Sequence, residues 1–121
     1  PLCPLHFMND LLKKKCLPCE GGVIPFDISE IHKYQKKVDG WEIVKNEKNI
    51  FFLVKNFKFK NFIDSQSFVN QVGQISEEEG HHPDIKFGWG YATISITTHS
   101  IEGLSENDFI LAAKIDKKTN V

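Results

Sequence analysis

The stretch HHPDIKFGWGYATISITTH, residues 81–99, decides how this chain folds. It divides at Trp89–Gly90 into two short runs, DIKFGW and YATISITTH, whose aromatic and β-branched residues read as two antiparallel strands around a tight turn. Along the second run Ala92, Ile94 and Ile96 point one way, while Tyr91, Thr93, Ser95, Thr97 and His99 point the other. Positions equidistant from a hairpin turn face each other. His82, seven residues before Trp89, and His99, nine after Gly90, therefore reach the same open end. Facing residues there are expected about 4.5–5.5 Å apart at Cα. Pro83 biases His82 towards extended geometry, so the neighbouring His81 points elsewhere.

Working outward, the segment before the histidines is helical. Asn61 can cap it, Phe68, Val69, Val72 and Ile75 recur at helical spacing, and Gly80 follows Glu79 where a left-handed C-terminal residue is cheapest for glycine. Glu77, Glu78 and Glu79 oppose the helix dipole there, which favours a use for at least one of them. Further back, IFFLVKNFKF at residues 50–59 is a strand, apolar on both sides in its first half, and WEIV at residues 41–44 is a shorter one. Asp27 opens a helix expected to run to about Val38 and to bury Ile28, Ile31, Tyr34 and Val38, with Glu30 at the capping-box position. After the hairpin, Ser105 caps a last helix with Asp108 three residues in; its stripe is Phe109, Leu111, Ala112 and Ile115. The expected fold is α+β: a four-stranded antiparallel sheet with three helices packed on one face, in the order α-β-β-α-β-β-α.

The totals agree with one small domain. The chain has 121 residues, 40% hydrophobic and 26% charged, with ten Phe and two Trp to fill a core. Residues 1–25 lack periodicity and read as an N-terminal arm, with residues 26–121 as the domain. Pro1 is no initiator whereas Met8 can serve as one, so residues 1–7 are expected to be an expression remnant or a processed end. No apolar run has membrane-spanning length and no signal peptide opens the chain, which predicts an intracellular, reducing compartment and no membrane partner. The net charge is −1 and all fifteen basic residues are lysine. Without arginine forks, nucleic-acid readout is not expected. Cys16 and Cys19 form a CxxC without a second ligand pair at zinc spacing, and without the strand-to-helix setting of a redox motif; a structural or incidental role is expected.

Three imidazoles with distinct directions around one hairpin end, beside the Glu77 carboxylate, can surround a small ligand and move protons near neutral pH. Isolated histidines are more often surface or satisfied core residues. Zinc binding by His81, His82 and His99 is a competing reading, weakened because adjacent extended residues point apart. Asp108 has a plain alternative in helix capping. Trp89 can serve as core, turn cover or an aromatic wall.

The span from Glu77 to Asp108 resembles the pterin-4a-carbinolamine dehydratases: an acidic residue (Glu77), His81-His82-Pro83, an aromatic (Trp89), Thr98-His99, Gly103-Leu104-Ser105 and Asp108. GWEIV at Gly40–Val44 and FKFKNF at Phe57–Phe62 resemble the family's first strands and long-helix start, and CLPCEGG the N-terminal arm of its bacterial-type members. The resemblance implies dehydration of a 4a-hydroxytetrahydropterin to the quinonoid dihydropterin in tetrahydrobiopterin recycling, with no metal and no organic cofactor. It implies His81, His99 and Glu77 as catalytic residues and His82, Pro83, Trp89, Thr98 and Asp108 as substrate-binding ones. It further implies a homodimer or homotetramer in the cytoplasm, and, as animal members also do, in the nucleus. The alternative is a dimerisation cofactor that binds a transcription factor without needing catalysis. Gly80 stands where the family often has Asp or Asn, and Ile85 where animal members have an aromatic.

Overall fold

The computed structural model describes residues 11–14 and 24–119, so the CxxC cysteines Cys16 and Cys19 lie outside the described residues. The order is α1 (Ile28–Gln35), β1 (Glu42–Lys45), β2 (Phe51–Lys58), α2 (Phe62–Glu79), β3 (Asp84–Gly88), β4 (Tyr91–Ile96), a 3₁₀ segment (His99–Ile101) and α3 (Glu106–Thr119). The four strands form one antiparallel sheet in the order β1-β2-β4-β3. The expected α-β-β-α-β-β-α architecture is the one observed.

Local chemistry accounts for the element ends. Asp27 accepts a hydrogen bond from the backbone N–H of Glu30 at 2.9 Å. Asn61 accepts from Asp64 N–H at 2.8 Å. Each satisfies a donor that a helix start leaves open. Gly80 closes α2 in the left-handed region at φ 65°, its N–H donating to the Ser76 carbonyl. Helix α1 stops at Gln35 rather than Val38, and the chain bends through residues 36–40 to reach the sheet. Ile31 and Val38 are buried as expected, but Ile28, the first residue of the helix, is 49% exposed.

The hairpin register pairs Gly88 with Tyr91 and Asp84 with Ser95, so Trp89–Gly90 is a two-residue turn. Leu53 of β2 lies between Ile43 and Ile96 on the sheet face covered by the helices. Leu53, Ile94 and Ile96 are fully buried there, and Phe57 packs against Phe68 of α2 with ring centroids 4.6 Å apart. Helix α3 is buried almost all round. Beyond the expected stripe it also buries Ile110 and Ala113, and the polar residues Asn107, Asp108 and Asp116. A buried carboxylate needs partners, and those of Asp116 include Trp41, whose Nε1–H donates to it at 2.9 Å, and Lys55, whose Nζ donates at 2.9 Å. These bonds tie α3 to the residue before β1 and to the middle of β2.

Candidate functional site

The candidate site is built where α2 ends, β3 begins and α3 starts. The left-handed turn at Gly80 releases the chain from α2 and delivers His81 and His82 ahead of β3. His81 points inward, with 12% of its side chain exposed, and its Nε2 lies 2.7 Å from Oδ1 of the fully buried Asp108. The other oxygen of that carboxylate, Oδ2, accepts the Thr98 hydroxyl at 2.8 Å and the Ser105 backbone N–H at 2.8 Å. Asp108 therefore does two things at once. It caps α3, the role that helix-start chemistry gives it, and it clamps an imidazole to the chain segment that carries His99. A carboxylate only accepts, so the bond to Nε2 uses a proton on that nitrogen and leaves Nδ1 as the acceptor of a neutral ring.

His82 points the other way, as adjacent extended residues do. It is 60% exposed, and its Nε2 is paired with the Glu77 carboxylate one turn back on α2. Of the three glutamates at this helix end, Glu77 thus meets an imidazole and Glu79 meets Lys114 of α3 at 2.5 Å. Both pairings offset the unfavourable dipole position of the acidic residues.

His99 is not the next outward position of a continuing strand, as the alternation had suggested. β4 ends at Ile96. The Thr97 hydroxyl turns in to donate to the Phe51 carbonyl at 2.8 Å. Thr98 and Gly103 exchange backbone hydrogen bonds of 2.9 and 3.3 Å. That bridge closes a small loop, within which His99 opens the 3₁₀ segment and is exposed. His99 borders a cleft of about 620 Å³ between this loop and the β1–β2 turn, whose other walls include Lys45, Lys48, Phe52 and Glu102. His81 and His82 are not among the residues that line this cleft. What joins His99 to His81 is the Thr98–Asp108–His81 chain of hydrogen bonds.

Pro83 is half-buried beside His82. Trp89 is 72% exposed at the hairpin turn, the end opposite the histidines. About 20 Å of strand separates the two ends, so one copy of the chain does not bring Trp89 to the imidazoles. Among the described residues there is no group of three or more His, Cys, Asp or Glu able to hold a metal ion. His81 and His82 are each turned to a separate carboxylate instead.

Comparison with known proteins gives the family. The sequence profile of the family described as pterin 4 alpha carbinolamine dehydratase matches residues 25–118. The chain belongs to this family. A relative from Rubrobacter xylanophilus, provisionally named pterin-4-alpha-carbinolamine dehydratase, is 46% identical over 110 residues, covering 91% of this chain and 99% of the relative. One from Halorhodospira halophila with the same name is 50% identical over 106 residues, covering 88% and 94%. Among solved structures, a transcriptional coactivator/pterin dehydratase from Brucella melitensis superposes with a TM-score of 0.69 at 27% identity, covering 77% of this chain and 96% of that one. A pterin dehydratase-like protein identified as a RuBisCO assembly factor in the alpha-carboxysome gives 0.55 at 26% identity, covering 64% and 87%. The titles of these two structures thus carry a second role, transcriptional coactivator in one and RuBisCO assembly factor in the other, beside the pterin dehydratase name.

Residue patterns named Asp108 as a helix cap, and the resemblance named Asp108 and Thr98 as substrate-binding; what neither named is the contact of Asp108 with His81, 27 positions away. The available signal was that Asp108 falls in a helix whose surroundings are apolar, where a carboxylate must find donors.

Proposed function

We propose that this chain is a hydro-lyase that dehydrates a 4a-hydroxytetrahydropterin to the quinonoid dihydropterin, in the recycling of a tetrahydropterin. The C4a–O bond breaks and the hydroxyl leaves as water, so it takes up a proton. N5 gives up its proton as the N5=C4a double bond forms. The reaction is balanced without an oxidant or reductant, and two imidazoles are sufficient for its two proton movements.

The observation that carries the reading is the 2.7 Å contact between His81 and the buried Asp108, whose other oxygen holds Thr98 beside His99. In this reading His81 and His99 move the protons. His82 and Pro83 position the pterin, and Glu77 orients His82. Thr98 and Asp108 hold the site together from beneath. Trp89 meets a pterin only if it comes from a second copy of the chain.

The test is turnover of a synthetic carbinolamine. His81→Ala and His99→Ala are each expected to lower kcat by about 10²–10⁴-fold. Unchanged turnover in both variants overturns the assignment. The same assay is expected to be insensitive to chelators.

A homodimer or homotetramer belongs to the same proposal. Val44 is 42% exposed on the sheet face away from the helices, opposite the half-buried Phe52, and aromatic surface of this kind suits a subunit contact. Sedimentation at micromolar concentration tests it, and a stable monomer counts against it. The titles of the two solved relatives favour a second reading, a protein-binding role that persists without catalysis. Under that reading His81→Ala abolishes turnover and leaves partner binding intact.

A further inference from the structure

We infer that Pro25 and Phe26, the two residues before the α1 cap Asp27, form a strap that positions the His81–Asp108 pair for turnover, although neither lies in the site. The inference rests on the dehydratase reading above and assigns positioning residues to that reaction.

The strap bears on the chain between Thr98 and Asp108. Gly103 exchanges backbone hydrogen bonds with Thr98, and two residues on, the Ser105 N–H donates to the Asp108 carboxylate. The Thr98 hydroxyl meets the same carboxylate oxygen. On its other side this segment is held by the strap. The Phe26 N–H donates to the Leu104 carbonyl at 2.8 Å. The Phe26 ring lies against Phe109 with centroids 6.2 Å apart, and against Tyr34 of α1 at 4.9 Å. One contact precedes Asp108 in the chain and the other follows it at once.

Pro25 supplies the third contact. Gly103 has no positive φ, so its backbone does not call for glycine. A Cβ placed there would come 2.6 Å from Cβ of Pro25 and 3.4 Å from its Cγ. Ordinary contact between carbons is about 3.5–4.0 Å, so among the described residues it is Pro25 that keeps a side chain out of position 103. Pro25 itself is exposed. Hydrophobic stabilisation scales with the area removed from water, and so little of it comes from Pro25; the close fit serves to place the loop. The start of α3 is gripped again at Glu106, which accepts from the Tyr34 hydroxyl at 3.1 Å and from Lys14 at 2.6 Å. A shift of Gly103–Ser105 carries both donors to Oδ2 with it and turns the carboxylate that His81 meets. A misplacement of about 1 Å can cost about 10²-fold in rate.

The experiment is an exchange of size across the contact. Gly103→Ala drives a Cβ against Pro25. Pro25→Gly removes the Cβ and Cγ that press there and leaves a gap. In the double variant the Cβ at position 103 faces the backbone Cα at position 25, 4.0 Å away, which is an ordinary contact. Each single variant is expected to lower kcat for a synthetic carbinolamine by about 10- to 100-fold. KM is expected to change by less than about 3-fold, because the strap does not touch the substrate. In the double variant kcat is expected to return to within about 3-fold of the unaltered protein, the coupling that contacting residues show. The ¹⁵N shifts of the His81 ring are expected to follow kcat, altered in both single variants and restored in the double. Pro25→Gly also loosens the unfolded chain, and the double variant keeps that loss. Recovered kcat and ring shifts at a still lowered melting temperature therefore separate positioning from stability. Single variants with unaltered kcat and ring shifts overturn the strap, as does a double variant whose loss is the product of the two single losses. If the unaltered protein does not turn over the carbinolamine, the dehydratase reading falls, and the His81 ring shifts across the same three variants decide whether the strap orients the imidazole.

Discussion

Nε2 of His81 lies 2.7 Å from Oδ1 of Asp108, a carboxylate with no exposed surface. The two residues come from different elements, the turn after α2 and the first turn of α3, and the contact fixes both the direction of the imidazole and the nitrogen that carries its shared proton. Asp108→Asn keeps the shape but offers His81 an amide N–H or a weaker acceptor. The ring is then free to take the other tautomer, with the acceptor on the wrong nitrogen. An aspartate that orients a catalytic histidine loses about 10⁴-fold on this substitution in the serine-protease triad. Here a loss of about 10²–10⁴-fold in kcat is expected, with stability reduced by about 1–3 kcal/mol. The ¹⁵N shifts of the His81 ring and the pH profile of kcat check it. An unchanged tautomer with full activity contradicts it.

Glu77 and His82 form the exposed counterpart of that pair, at 77% and 60% side-chain exposure. Exposed ion pairs contribute little to stability. Glu77→Gln is expected to alter unfolding free energy by no more than about 0.5 kcal/mol. Its effect on turnover is expected to be measurable but smaller than the roughly 10²-fold loss that marks removal of an acid–base group. Urea titration beside steady-state kinetics separates the two quantities.

Asp116 gives a prediction on stability against pH. Burial pushes its carboxyl above the ordinary carboxylate value, and Lys55 and the Trp41 indole N–H pull it part of the way back. A carboxyl raised in the folded state holds its proton there when the unfolded chain has already lost it. Its contribution to stability is therefore greatest below the ordinary carboxylate value, and falls as pH rises from that value through the folded one. In Asp116→Asn this fall should be absent, which melting temperatures between about pH 3.5 and 7 will show. Lys55→Met removes the compensating charge and leaves the carboxylate buried without it, at an expected cost of about 3–5 kcal/mol. A loss under about 1 kcal/mol would mean that the pair is already well solvated.

Gly80 holds φ at 65°, and a Cβ added there meets no other atom within 4 Å. Backbone conformation, not space, is what restricts the position. Gly80→Asn should fold with little loss, because asparagine tolerates the left-handed region. Gly80→Val should cost about 1–2 kcal/mol or more. Equal melting temperatures for the two variants would show that the turn can re-form in another conformation.

Much of the architecture was legible in the chain before any coordinates. The caps at Asp27 and Asn61, the stop at Gly80, the turn at Trp89–Gly90 and the buried faces of β2 and β4 are all properties of a few neighbouring residues. Period and capping are local, so the sequence states them directly. The extent of α1 and the burial of Ile28 were misjudged, because a helix end and its outermost residue depend on what packs beside them.

What only the tertiary structure decided is where the side chains of distant segments meet. The hairpin register, extended by alternation, put His99 on the outer face of β4, but the Thr98–Gly103 bridge lifts it out of the sheet and onto the rim of a cleft. Nothing in the residues around Asp108 names His81 as its partner, and nothing around Asp116 names Lys55, 61 positions away, or Trp41, 75 positions away. Caps, strands and turns follow from short-range sterics and hydrogen bonding. A buried carboxylate takes whichever donors the completed packing brings to it, and that packing is fixed only when all the elements are in place.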